Sequence, residues 1–154
     1  MKQKAEILHS ILEKYLDCVV FLHNTRDSDI AARILSEGFI FENQLSHTTD
    51  RVNPAEQIEI AYFLFQRKDY GPFTIVIAIP KKIYNLYTKY SNQFDMSIEE
   101  LITKSKPWVN DNEEMTFVLP PEHIAGYFDN ESLEFLSNKL FNPSYLAYRD
   151  RDEF

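Results

Sequence analysis

The residues best equipped for chemistry fall in four places: His23, the run Ser46-His47-Thr48-Thr49-Asp50, Tyr62, and the acidic pair Glu113–Glu114. A neutral imidazole carries one hydrogen-bond donor and one acceptor, so His23 can hold a hydroxyl in a fixed orientation. Asn24 and Thr25, next in the chain, add groups suited to a carboxamide. Ser46 and Thr48 share one face of an extended segment, with His47 opposite. Tyr62 offers a ring that can stack on a planar ligand. A carboxylate at Glu114 or Glu113 can stabilise positive charge developing in an oxocarbenium-like transition state. Arg26, Arg33, Arg51 and Arg67 are candidates for a phosphate clamp, with Arg51 first because it follows Asp50 directly. Each residue also has a plain structural reading: a satisfied histidine, a core tyrosine, a solvated acidic pair, surface arginines.

Position depends on the surrounding elements. Residues 3–17 place Ile7, Leu8, Ile11, Leu12, Tyr15 and Leu16 at helical spacing, which predicts an amphipathic helix. The β-branched and aromatic run 18–23 predicts a buried strand ending in His23. A helix from Ser28 to Gly38 follows, with Gly38 free to take the left-handed cap. Short strands are expected at 39–41 and 45–49, and a helix at 54–68 opened by Asn53-Pro54. That helix is apolar nearly all round, with Ile58, Ala61, Tyr62 and Phe65 on one stripe, so it should be largely buried. The segment 73–79, FTIVIAI, has no polar alternate face and reads as a central strand ended by Pro80. Residues 81–96 read as irregular or weakly helical, and Ser97 opens a capping box for a helix to about 104.

Strands at 114–120 and 124–128 come next, then a helix over 131–140 and a partly ordered tail, 141–154, in which Tyr145, Tyr148 and Phe154 could dock on a neighbour. Alternation puts Glu114 with Thr116 and Val118, and Glu113 with the more apolar Met115, Phe117 and Leu119. The irregular mixture of short strands and helices predicts one α+β domain over 1–154, with its core at 18–140.

In this order the pieces FLHNT (21–25), ARILSEGF (32–39), LSHTTD (45–50), EIAYFLF (59–65) and EEMTFVLPPEHI (113–124) resemble the ADP-ribosyltransferase superfamily, in its diphtheria-toxin and poly(ADP-ribose)-polymerase-like branch. The resemblance covers roughly residues 18–128, and its weight lies in the ordered set of short motifs. It implies split mixed or antiparallel β-sheets with flanking helices, and NAD as substrate. His23, Tyr62 and Glu114 would take the catalytic positions, with Asn24, Thr25, Ser46, Thr48 and Arg51 binding the cofactor. The implied reaction cleaves the nicotinamide–ribose bond and passes ADP-ribose to a protein, a nucleic acid or water. Asn24 stands where the family usually has Gly, which keeps a second reading open: a binding or regulatory module on the same fold without turnover. A third is a His-dependent nuclease built on His23 and His47.

Composition narrows the field further. Lys+Arg 16 against Asp+Glu 24 gives a net charge of -8, which argues against a wide phosphate-backbone surface. Between 81 and 108, however, five lysines interleave with Tyr84, Tyr87, Tyr90 and Trp108. The pattern reads first as a solvated face over buried tyrosines, and can also form a lid over the cleft or face a nucleic-acid acceptor. Three glycines, widely spaced, exclude a GxxxxGK[ST] loop and a GxGxxG fingerprint. One cysteine, Cys18, excludes an intrachain disulfide and a cysteine-cluster zinc site, and no metal is expected. The N-terminal residues are broken by Glu6, His9, Glu13 and Lys14, and no apolar run approaches the ~20 residues of a membrane helix. A cytoplasmic location without membrane contact is therefore expected.

Overall fold

The computed structural model describes residues 2–151. Helix α1 (Lys2–Leu12) buries Ala5, Leu8 and Leu12 at i, i+3 and i+7, and a 3-10 turn (Glu13–Tyr15) leads into β1 (Cys18–Thr25). Helix α2 (Ser28–Glu37) is capped by Asp27, whose carboxylate accepts from the Asp29 N–H at 2.8 Å. It stops at Gly38, which has φ 104 and donates to the Ile34 carbonyl. A Cβ on Gly38 would collide with the Leu119 carbonyl oxygen, so only glycine lets the strand that follows lie against its neighbour. Next come β2 (Phe39–Glu42), a 3-10 turn (Leu45–His47), β3 (Asp50–Val52), α3 (Gln57–Gln66), a 3-10 turn (Lys68–Tyr70) and β4 (Phe73–Pro80). The chain continues through α4 (Lys81–Phe94), α5 (Ile98–Ile102), β5 (Trp108–Val109), β6 (Met115–Leu119) and a 3-10 turn (Pro121–His123). It ends with β7 (Ile124–Asp129), β8 (Phe135–Ser137) and a 3-10 turn (Ala147–Asp150).

The strands form two antiparallel sheets, ordered β3-β1-β4-β7-β8 and β2-β6-β5. Alternation along β1 and β4 sends side chains to both faces of the larger sheet, and both faces are covered. On one side Val20, Leu22, Val76 and Ala78 meet Leu8 and Leu12 of α1 and Ile60, Phe63 and Leu64 of α3. On the other, Val19, Phe21, Ile75, Ile77 and Ile79 meet α2, α4, α5 and the inner face of the smaller sheet through Phe39, Phe41 and Phe117. The architecture is α+β. Among the described residues no helix is long and apolar enough to cross a membrane.

Four elements depart from the sequence reading. Over 45–49 the chain forms a 3-10 turn (Leu45–His47) and its exit rather than a strand, because the Thr49 hydroxyl and N–H both bond the Leu45 carbonyl; the strand begins at Asp50. Residues 81–94 are a full helix: Ile83 and Tyr87 are buried on one side, and Pro80 sits at its N-cap. The expected helix over 131–140 is absent. The Asp129 carboxylate accepts from the N–H groups of Glu131 and Ser132, Leu133 turns at φ 64, and Phe135–Ser137 pairs with β7. Helix α3 starts at Gln57, after an Asx turn in which Asn53 accepts from Ala55, and only half of it is buried: Ile58, Tyr62 and Phe65 are exposed. The tail is ordered through Arg151, with Leu146 and Ala147 in the core; residues 152–154, including Phe154, lie outside the described residues.

Candidate functional site

Strand β1 outruns its partner. Its pairing with β3 ends at Leu22↔Asp50, whereas pairing with β4 continues to Thr25↔Phe73. His23, Asn24 and Thr25 therefore overhang on the β3 side, and a hollow of about 170 Å³ opens there. His23, His47, Thr48, Asp50, Arg67 and Tyr70 line it, with Phe63 of α3 also in the wall.

His23 is pinned. Its Nδ1 lies 2.6 Å from the Thr48 carbonyl oxygen, which can only accept, so Nδ1 carries the proton and Nε2 keeps its lone pair. The ring leans on Phe39 at 4.8 Å between centroids. Burial lowers the imidazole pKa, with the Thr48 carbonyl and Asp50 opposing more weakly, so His23 is neutral at pH 7. Asp50 grips Arg67 in a fork, at 2.7 Å to Nε and 3.2 Å to Nη2, and this hydrogen bond leads the rise in the guanidinium pKa. Arg67 also lies over the Tyr70 ring, 5.6 Å from its centroid.

Asn24 points to the opposite face of β1 from His23. Its amide donates to the Arg67 carbonyl at 2.9 Å and accepts from the Thr74 hydroxyl at 2.6 Å. Thr74 in turn accepts from Asn130, so the Asn24 side chain belongs to a buried network tying β1, β4 and the end of β7 together.

The structure brings together some of the residues marked from sequence and separates others. His23, Asn24 and Thr48 share the hollow, and the Thr48 carbonyl holds His23. Thr25 is buried against a second, larger concavity between α2 and the smaller sheet, where His23 also appears. Arg51 and Tyr62 line a neighbouring groove of about 390 Å³ between β3 and α3, which shares Asp50 and Phe63 with the wall of the hollow. The Arg51 side chain lies on the Phe21 face of the sheet, opposite α3, with its guanidinium 5.7 Å from the Tyr84 ring, and Tyr62, 62% exposed, accepts from Gln66. Ser46 is exposed on the 3-10 turn and lines none of these spaces.

Glu114 is half-buried at the head of β6, with its N–H bonded to Asn110 and its carboxylate 3.4 Å from the Asn43 amide. It lies on the face of Val118, which lines the second concavity, but four residues further along the strand, roughly 13 Å. Glu113 is exposed at φ 61. Neither acid lines the His23 hollow.

Phe63 and Tyr70 are not marked by the sequence, and Asp50 is marked only as the last residue of the run 46–50, with no role assigned to it. Asp50 had a usable signal, a carboxylate directly after His47-Thr48-Thr49. Among the described residues no group of three or more His, Cys, Asp or Glu side chains is arranged to hold a metal ion. No family model, curated protein or solved structure matches this chain.

Proposed function

We propose that this protein is an ADP-ribosyltransferase-like domain that binds NAD with its nicotinamide end in the hollow at the overhang of β1. The observation that carries the reading is the pinned, neutral His23: with Nδ1 committed to Thr48, Nε2 is an acceptor of fixed direction for a ribose hydroxyl. Phe63 and Tyr70 supply aromatic walls for a flat ring, and the overhanging backbone of residues 23–25 lies beside them. The hollow is too small for a whole dinucleotide, so the diphosphate would run along the adjoining groove past Tyr62, and Arg51 would have to leave the Tyr84 ring to meet it. In the transfer step the bond between ribose C1′ and the pyridinium nitrogen breaks, and nicotinamide leaves with the electron pair. The acceptor bonds C1′ and loses a proton. For Glu114 to steady the charge on the sugar, as the resemblance implies, the head of β6 must move toward the hollow, which Glu114 does not line here.

A second reading, binding without turnover, is favoured by the placement of Tyr62 and Glu114 outside the hollow and by the engagement of the Asn24 side chain in the core network. A third, phosphoester cleavage, is favoured by His23 and His47 lining one space. Titration with NAD, followed by nicotinamide release, separates the three. NAD at a hundred times its Kd should stabilise the fold by about 2.7 kcal/mol, and His23→Ala should remove most of that. Glu114→Gln should stop nicotinamide release while leaving the thermal shift. NAD binding with no release in the native chain establishes the binding module. No thermal shift at millimolar NAD rejects the transferase reading; a partner captured by pull-down then supports the module, and phosphoester cleavage lost in His47→Ala supports the nuclease.

A further inference from the structure

A separate cavity of about 400 Å³ opens on the α1–α3 side of the larger sheet, near the end of β1, and shares only Asn24 with the His23 hollow. Its inner wall is made by two buried amides, Asn24 and Asn130. Their orientations are fixed, because the Nδ2 atoms donate to the Arg67 and Pro72 carbonyls, which can only accept. Asn130 Nδ2 also donates to Thr74 Oγ1, which donates to Asn24 Oδ1. Each amide keeps one group uncommitted among the described residues: the second N–H of Asn24 and the carbonyl oxygen of Asn130. Neither atom is among the fully buried ones that lack a partner, so both face the open space of the cavity, where a polar occupant can reach them.

The rest of the wall is charged. Lys4 from α1, Arg26 after β1 and Lys68 after α3 converge there with Asp69 and Glu131. Three cations against two acids leave +1 in a chain of net charge -8. Among the described residues the ion pairs are Arg33–Glu37 and Asp50–Arg67, so none of these five groups is paired with another. Lys68 rests on the Phe65 ring, 4.6 Å from its centroid.

Cations drawn from three elements suit a phosphate, unpaired carboxylates accept from hydroxyls, and an amide pair takes a further donor and acceptor. We propose that this cavity is a binding site for a phosphorylated sugar, of the class of ribose 5-phosphate or a nucleoside monophosphate. The phosphate sits among Arg26, Lys4 and Lys68, and the sugar hydroxyls donate to Asp69 and Glu131. This assignment does not depend on the NAD reading, since the residues that carry it are absent from the His23 hollow apart from Asn24.

The test is calorimetric titration of the full chain with ribose 5-phosphate, adenosine 5′-monophosphate and inorganic phosphate. Saturable binding of either sugar phosphate, tighter than inorganic phosphate, is expected. Arg26 and Lys68 are exposed, so the Arg26→Ala/Lys68→Ala variant should fold normally and bind at least about a hundredfold more weakly, about tenfold for each charge-assisted contact. His23→Ala should bind the sugar phosphate unchanged while losing NAD, which keeps the two sites distinguishable. Absence of binding at millimolar concentration overturns the proposal. So does inorganic phosphate binding as tightly as the sugar phosphates, or a loss in His23→Ala that the double variant does not show.

Discussion

Removing one oxygen from α4 should loosen the whole C-terminal segment. Tyr87 is fully buried, and its hydroxyl accepts from the Ala147 N–H at 2.9 Å while donating to His123 Nε2 at 2.7 Å. Both partners are themselves fully buried. Tyr87→Phe keeps the ring and its edge contacts with His123 and Tyr148 but leaves two orphaned polar groups. At ~1–3 kcal/mol for each buried group left unpaired, the loss should be about 2–6 kcal/mol. For a chain of this size that lowers Tm by roughly 6–18 °C. Urea unfolding followed by circular dichroism gives the free energy, and hydrogen exchange at the Ala147 amide gives the local effect. Adding His123→Met should recover part of the loss, because it removes the orphaned imidazole nitrogen. A loss under ~1 kcal/mol, with the Ala147 amide still protected, would refute the reasoning.

Acid should act through the two buried histidines. Burial pushes His123 down to about 3, and lowers His23 from the ordinary value of ~6.5. The unfolded chain takes up protons that the native state refuses, so stability is complete above about pH 6.5 and falls as pH drops toward 3. For His123 the slope approaches about 1.4 kcal/mol per pH unit, and His23 adds to it in the same direction. Melting temperatures between pH 7.5 and 5 should therefore decline less in His123→Met than in the native chain, and parallel profiles would contradict the assignment. Thr74→Val should cost about 2–4 kcal/mol in urea unfolding, since it orphans Asn24 Oδ1 and one Asn130 N–H together.

The pattern of residues disclosed more of the scaffold than of the site. FTIVIAI announces a central strand because no polar face interrupts it, and β4 indeed has β1 on one side and β7 on the other. Helix α4 hides because Lys81, Lys82, Asn85, Thr88 and Asn92 dilute a buried side reduced to Ile83, Tyr87 and their half-buried neighbours. Leu133, Phe135, Leu136 and Leu140 imitate helical spacing, yet pairing with β7 decides their conformation. The site is harder still. His23 is legible as the polar end of an apolar run, but α3 is apolar around most of its circumference, so its sequence does not say that Phe63 turns inward and Tyr62 outward. Nor can the pairing length of β3, which creates the overhang, be read from three residues.

The larger sheet closes on both sides with strands of only three residues, β3 and β8, around inner strands of eight in β1 and β4. Brief margins, one carrying the exposed Arg51, give another molecule little ladder on which to zip itself. The uncharged, β-branched stretch within β4 has the composition of a fibril-forming segment, and it is kept harmless by its neighbours rather than by its own residues. Precipitation of this protein should therefore follow partial melting, when inner strands lose their flanks, and not collisions between intact molecules.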